Sequence, residues 1–250
     1  MKDNNINLQE IAFFLDSFSE HIENSVAERV AEDLNGFKDL FGRMDPLMQK
    51  VEKELTLTAP EYNIFEIINL SRYETRLHTP FLVHLLNPSG SHHQKRLFFD
   101  GFIAHISPDI NLKDITDIRI YEEYPAEEYG RIDILILYKY NNKSKALIVE
   151  NKIYSVDGQN QLSRYYNFLT ERLKINKDNF QIVYLTPHKS MPSEWSIDKD
   201  LYADLKKERV FFELGYKENV APILQNTIST IKAEPVKQVI KQYLQTVNIL

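Results

Sequence analysis

The chain has 250 residues, of which 43% are hydrophobic, and this length and composition suffice for a buried core. Its net charge of -6 argues against a protein that coats nucleic acid by charge alone, although a local basic patch could still hold phosphates. Cysteine is absent, which excludes disulfides and thiolate metal sites. Neither a signal-peptide core nor a membrane-length apolar run is present, so we expect a soluble cytoplasmic protein without a membrane partner.

The N-terminal part reads as helical from about Leu8 to Leu55, because apolar residues recur at spacings of three and four. Asn35-Gly36 and Asp45-Pro46 are expected to interrupt this region, since glycine and proline break helices. Ala59-Pro60 marks a further break. We therefore predict a helical extension over residues 1–58 and one compact unit over residues 59–250.

Two helices are predicted next. Thr79-Pro80 favours a helix start, with the threonine as cap and the proline in the first helical position. This helix is expected to end at Asn87-Pro88. The second helix is expected from Lys95 to Ile106, a stretch rich in large apolar residues.

Strand patterns follow. A short strand is predicted at Ile118–Tyr121, a long one at Ile132–Tyr140, and a central one at Ala146–Asn151, with a short turn that makes the last two an antiparallel hairpin. The rest of the chain predicts an amphipathic helix, two strands and a closing helix, at Gln159–Leu173, Gln181–Leu185, Val210–Glu213 and Val236–Val247. The elements predict an α/β sandwich around a mixed sheet, with the N-terminal helices as an appendage.

Charged side chains stand at one end of the predicted hairpin. Asp133 opens the first strand and Glu150 closes the second, so antiparallel pairing brings the two carboxylates together. Two hard oxygen ligands suit Mg²⁺ or Mn²⁺. Lys152 lies two residues beyond Glu150 and shares its face of the strand, where it could orient a water molecule or stabilise charge on a phosphate.

A plainer interpretation is that all three residues are strand-end charges that point into solvent. Asp133 argues against it, because an acid that interrupts an apolar strand is costly without a partner.

These residues carry a family resemblance. Asp133 followed by Glu150-Asn151-Lys152 resembles the signature of the PD-(D/E)XK nuclease superfamily, with Ile132 in place of the motif's proline. Gln161 and Tyr165 resemble the Gln-x-x-x-Tyr motif of the RecB-like branch and lie one helical turn apart. That face is expected to position the substrate strand or the lysine; the alternative is a core tyrosine and a surface glutamine.

The segment from Tyr73 to Leu82 resembles one that contains Glu and His-Ser/Thr in a bacterial branch of this superfamily. By that resemblance Glu74 completes the metal shell; the alternatives are a helix cap or a pair with a neighbouring arginine, Arg72 or Arg76. We expect a structural or substrate-contact role for His78 and His92, and a surface position for His93. Arg131 is a candidate contact to substrate phosphate.

The resemblance implies a restriction-endonuclease-like fold with an αβββαβ core. It also implies a hydrolase that cuts nucleic acid, and it favours DNA over RNA as the substrate. The expected metal is Mg²⁺ or Mn²⁺, held by Asp133, Glu150, Glu74 and the main-chain carbonyl of Asn151. A role in bacterial defence or DNA processing follows by the same resemblance, with a homo-oligomer or a defence-system partner left open. The alternative is a catalytically silent module that keeps the fold and binds nucleic acid or protein.

Overall fold

The structure, a computed structural model, describes residues 8–250. The chain divides into two compact units, with the division after Tyr62. Residues 1–7 of the predicted N-terminal extension lie outside the described residues. No helix in the described range is long and apolar enough to cross a membrane.

The first unit contains one helix, α1, which runs from Leu8 to Thr58. The predicted interruptions at Asn35-Gly36 and Asp45-Pro46 are wrong, because α1 continues through both. Apolar side chains keep the helical spacing of three and four on either side of Gly36 and Pro46. Pro46 removes one backbone hydrogen bond, a local cost of about 3 kcal/mol, without shifting the helical period.

The second unit contains both helices and strands. The helices are α2 (Ile64–Ile67), α3 (Thr79–Leu86), α4 (Leu97–Ile106), α5 (Gln161–Asn167), α6 (Lys199–Lys207), α7 (Ala221–Ile228) and α8 (Glu234–Asn248). The strands are β1 (Ile115–Pro125), β2 (Arg131–Tyr140), β3 (Lys143–Asn151), β4 (Phe180–Thr186) and β5 (Phe211–Gly215). The predicted order of helix, three strands, helix and strand is therefore confirmed from α4 to β4.

The strands of residues 8–250 form one five-stranded sheet in the order β1-β2-β3-β4-β5. The first three strands pair antiparallel, whereas β4 and β5 add parallel to β3. Because β3, β4 and β5 are parallel, their C-terminal ends lie at the same end of the sheet. The predicted short strand is longer than expected, because β1 pairs with β2 along its whole length, apart from an irregularity between Thr116 and Arg119.

Apolar side chains cover the sheet on both faces. One core includes residues of α3, α4, α7 and α8, and the other includes residues of α5 and the strand residues Ile132, Leu135 and Ile148. β3 is buried from Ala146 onwards, as its apolar sequence predicts for a central strand.

Two predicted helices differ in detail. The Thr79 hydroxyl does not cap α3; a π-helical turn at Glu74–His78 runs directly into this helix and leaves no free end to cap. The helix predicted at Gln159–Leu173 starts at Gln161 and changes to a π-helical turn at Phe168–Arg172.

Candidate active site

The candidate site begins where β2 and β3 stop pairing. The last cross-strand pair at this end joins Ile134 and Val149, so Asp133 and Glu150 stand one position beyond it. The backbone N–H of Asn151 donates a hydrogen bond of 2.8 Å to Oδ2 of Asp133 instead of continuing the pairing with β2. The hairpin therefore brings the two carboxylates to the same end of the sheet, as the sequence predicts.

Both carboxyl groups are buried, with exposed fractions of 9% for Asp133 and 1% for Glu150. Burial, and next the neighbouring Glu150, raise the pKa of Asp133 to about 8. Burial also raises the pKa of Glu150. Oε2 of Glu150 has no hydrogen-bond partner within the described chain, which is costly for a buried carboxyl oxygen. The site therefore holds an excess of buried acceptor groups.

Lys152 supplies the positive charge of the site. Its Nζ lies 2.6 Å from Oε1 of Glu150, and the side chains are largely buried. Burial lowers the pKa of Lys152, but the adjacent Glu150 carboxylate outweighs burial and holds that pKa above its usual value. Lys152 is therefore a charged ammonium group at neutral pH, fixed beside the carboxylates.

Helix α5 contacts the same oxygen of Glu150 as Lys152 does. Nε2 of Gln161 donates hydrogen bonds to Oε1 of Glu150 at 2.7 Å and to the Tyr165 hydroxyl at 2.9 Å. The Tyr165 hydroxyl in turn donates to the main-chain carbonyl of Arg131 at 2.5 Å. Gln161 and Tyr165 thus connect α5 to both strands of the hairpin and keep one oxygen of Glu150 occupied.

Glu74 approaches from the π-helical turn before α3. Its Oε2 accepts hydrogen bonds from the backbone N–H of Ile153 at 2.8 Å and from the Ser155 hydroxyl at 2.6 Å. Its negative charge also contributes to the raised pKa of Asp133. Glu74 therefore fastens the segment that follows Lys152, a contact that the sequence alone does not reveal.

Asn151 points to the opposite face of the sheet from Glu150 and Lys152. Its Nδ2 donates to the Thr79 hydroxyl, and its Oδ1 accepts from the Tyr216 hydroxyl, both at 2.9 Å. With the bond from its own N–H to Asp133, Asn151 is held at three points. These contacts fix the main chain at Asn151. The resemblance assigns the carbonyl of Asn151 to the metal.

Comparison with known proteins agrees with this arrangement. The model of the PD-(D/E)XK nuclease superfamily matches residues 62–248. The chain belongs to the PD-(D/E)XK nuclease superfamily. Searches of curated proteins and of solved structures found no match. The predicted α/β restriction-endonuclease-like fold is confirmed by this match and the mixed sheet, whereas membership of the RecB-like branch stays a prediction.

Divalent metals are typical of PD-(D/E)XK nucleases, and the residues present fit one. Asp133 and Glu150 are hard oxygen donors, and the partnerless Oε2 of Glu150 is a coordination position that protein atoms leave open. In the part of the chain that the structure describes, no three His, Asp or Glu side chains converge as a complete metal cluster. A magnesium or manganese shell here would therefore also need the Asn151 carbonyl, water or substrate oxygens.

Two predicted substrate-positioning residues lie outside this cluster. His78 is fully buried; its Nε2 bonds to the Ser71 carbonyl at 2.8 Å and its Nδ1 to the Tyr243 hydroxyl at 2.9 Å. This placement fits the structural alternative for His78, not substrate contact. The Arg131 guanidinium pairs with Glu123 at 2.6 Å. Because the Arg131 side chain is also exposed, it is accessible to substrate.

Of the two histidines between α3 and α4, one is buried and the other is exposed. His92 is buried. Its Nε2 bonds to the Asn87 carbonyl, and its Nδ1 accepts from the Gln94 N–H. His93 is exposed. His92 therefore holds the loop between α3 and α4, and His93 lies at the surface as predicted.

The buried position of His78 gives a pH-dependent stability. Burial lowers the pKa of His78 from 6.5 to about 4. The folded ring binds a proton less readily than the unfolded ring, so the protein loses stability as the pH falls from about 6.5 towards 4. We expect His78→Gln to remove this loss, which amounts to at most about 1.4 kcal/mol per pH unit.

The measurement is the free energy of unfolding in urea near neutral pH and near pH 5, for wild type and His78→Gln. The exposed neighbour His93 supplies the control, because His93→Gln should leave the pH dependence as it is in wild type. Parallel pH profiles for wild type and His78→Gln would show that the buried ring is not the source.

Proposed function

We propose that this PD-(D/E)XK protein is a Mg²⁺- or Mn²⁺-dependent nuclease that hydrolyses phosphodiester bonds of DNA. Membership of the superfamily suggests nuclease activity in general. The observation that supports metal dependence is the buried, partnerless Oε2 of Glu150 beside Asp133 and Lys152. A divalent cation at this point would offset the unfavourable burial of two acids.

The division of roles follows from the positions of the side chains. Asp133 and Glu150 would hold the ion together with the Asn151 carbonyl, and the bound ion would supply charge neutralisation and a water of lowered pKa. Lys152 presents its ammonium next to Glu150, where it would orient that water or neutralise charge that develops on the phosphate. Glu74 would keep Lys152 in place through Ile153 and Ser155, or extend the shell through water.

Gln161 has a positioning role in this proposal. Its amide holds Oε1 of Glu150, so that Oε2, which has no protein partner, would be the oxygen that faces a bound ion. We expect Gln161→Ala to lower kcat by about tenfold and to raise the metal concentration needed for half-maximal rate, as loss of an outer-shell partner does. Asn167→Ala, near the other end of α5, is the matched control. Unchanged metal dependence in Gln161→Ala would exclude this role.

DNA as the substrate and a part in bacterial defence or DNA processing rest on the family resemblance. The same holds for a defence-system partner. The exposed guanidinium of Arg131, at the start of the strand that carries Asp133, supports a role for this residue in contacting the phosphate backbone.

The test is a cleavage panel with the purified full chain. End-labelled single- and double-stranded DNA and RNA are incubated with Mg²⁺, with Mn²⁺ or with EDTA. Cleavage of DNA that depends on the metal supports the proposal, and cleavage of RNA alone would correct the substrate. Binding without cleavage under every condition would instead favour the catalytically silent module.

A further inference from the structure

Helix α1 carries an apolar seam along its C-terminal half. Between residues 34 and 55 its large apolar side chains have exposed fractions of 42% to 64%. They are Leu34, Phe37, Leu40, Phe41, Met44, Leu47, Met48, Val51 and Leu55. A contiguous apolar surface of this kind marks an interaction site in a globular protein.

The seam follows a heptad repeat. From Leu34 to Leu55 seven of these nine residues advance by alternating steps of three and four, which is the order of the a and d positions of a coiled coil, whereas Leu40 and Leu47 take the flanking position g. Leu34, Phe41, Met48 and Leu55 take position a, whereas Phe37, Met44 and Val51 take position d. A repeat of seven residues favours a left-handed coiled coil with another helix.

The outer face of the same segment has the opposite character. Positions b, c and f contain only polar residues, glycine and proline, namely Asn35, Gly36, Asp39, Gly42, Arg43, Pro46, Gln49, Lys50 and Lys53. Asp39 and Arg43 lie 3.9 Å apart as an exposed ion pair on this face. The residues that would weaken a lone helix therefore point away from the seam, and packing along the seam can stabilise the helix in spite of them.

The seam is large enough for a stable dimer. Apolar side chains of this size each bury on the order of 100 Å² or more, so the segment offers about 800 Å² per helix, the amount a standard interface buries on each partner. Exposed apolar residues continue towards the N-terminus at Ile11, Leu15, Phe18, Ile22, Val26 and Val30, in steps of three or four. These extend the surface beyond the heptads.

One pair of opposite charges beside the seam favours a parallel orientation. In the same register Asp33 occupies position g and Lys38 the following position e. A parallel, in-register pair of helices places position g of one helix opposite the following position e of the other. Two such pairs of opposite charge then form, one on each side of the dimer. Identical helices meet this condition without any other partner.

We propose that α1 forms a parallel coiled coil between two copies of this chain, with residues 34–55 as the interface. The proposal does not depend on nuclease activity. It makes the protein a dimer through a part of the chain that lies outside residues 62–248, which the superfamily model matches.

The test is the mass of the full chain by light scattering during size-exclusion chromatography. We expect twice the 29.4 kDa of one chain for wild type and for Gln49→Glu, at position b, but 29.4 kDa for Met48→Glu, at position a. The two variants add the same charge at neighbouring positions. Near-ultraviolet circular dichroism checks that the second unit stays folded, because its tyrosines Tyr165, Tyr216 and Tyr243 are fully buried.

A cysteine tests the orientation, since the chain has none of its own. In a parallel dimer Leu55→Cys should form a disulfide between two copies, whereas in an antiparallel dimer the two thiols would be roughly 30 Å apart. A monomeric wild type, a mass of three or more chains, a dimeric Met48→Glu or an antiparallel dimer would each overturn the proposal.

Discussion

Lys152→Met is expected to lower the cleavage rate by about 100- to 1,000-fold, the effect of removing one preorganised charge from a transition state. The Lys152 ammonium lies 2.6 Å from Oε1 of Glu150, and both side chains are largely buried. Methionine keeps most of the volume of the side chain and removes only the charge. The measurement is single-turnover cleavage of the substrate identified by the panel, at saturating metal.

Loss of folding must be separated from loss of chemistry. Breaking a buried ion pair by removing one partner costs about 3–5 kcal/mol, because Glu150 would remain as an unpaired buried acid. The double variant Lys152→Met, Glu150→Gln removes both charges, so we expect it to regain stability and to stay inactive. Lys143→Ala, at the exposed other end of β3, should retain full activity.

Recovery of activity in the double variant would contradict the proposed roles of both residues. So would a Lys152→Met protein that is folded and cuts at more than about a tenth of the wild-type rate, since one lost charge should cost at least tenfold.

Asp133→Asn is expected to stabilise the metal-free protein and to abolish stabilisation by Mn²⁺. Burial raises the pKa of Asp133 to about 8, so the folded protein binds this proton more tightly than the unfolded chain. Asp133 therefore costs stability as the pH rises from about 4 to about 8, by up to about 1.4 kcal/mol per pH unit. Asparagine does not ionise and can still accept the bond from the Asn151 N–H.

The measurement is the melting temperature near pH 5 and near pH 8, in EDTA and in Mn²⁺. For wild type we expect Mn²⁺ to raise the Tm most near pH 8, where the ion offsets the repulsion between Asp133 and Glu150. For Asp133→Asn the Tm in EDTA should exceed that of wild type near pH 8 and should not respond to Mn²⁺.

Asp117→Asn is the matched control, because Asp117 is an exposed acid of β1 that pairs with Lys139 at 2.6 Å. It should respond to Mn²⁺ as wild type does. A wild-type Tm that is the same with and without Mn²⁺ at both pH values would argue against a metal at these carboxylates, whatever the cleavage panel shows.

Local sequence patterns were sufficient for the hairpin and its charged end. The alternation of side chains along a strand and the short turn at residues 141–142 bring Asp133 and Glu150 together, and the two-residue spacing puts Lys152 on the same face. Gln161 and Tyr165 were predictable as a pair, since one helical turn separates them. These contacts depend on short-range geometry that the residue types specify.

Other features required the whole fold. Thr79 and Tyr216 meet Asn151 from positions 72 and 65 residues away, and no spacing rule connects them. Glu74 reaches Ile153 across 79 residues, because α3 packs against the same sheet.

The sequence by itself therefore determined the superfamily signature, the order of the core elements and the charged end of the hairpin, because periodicity and turns act over a few residues. Only the tertiary structure decided that His78 is a buried support, that Asn151 is held from three directions, and that one oxygen of Glu150 has no protein partner. Burial and long-range hydrogen bonds depend on which elements pack together, and packing is a property of the folded chain as a whole.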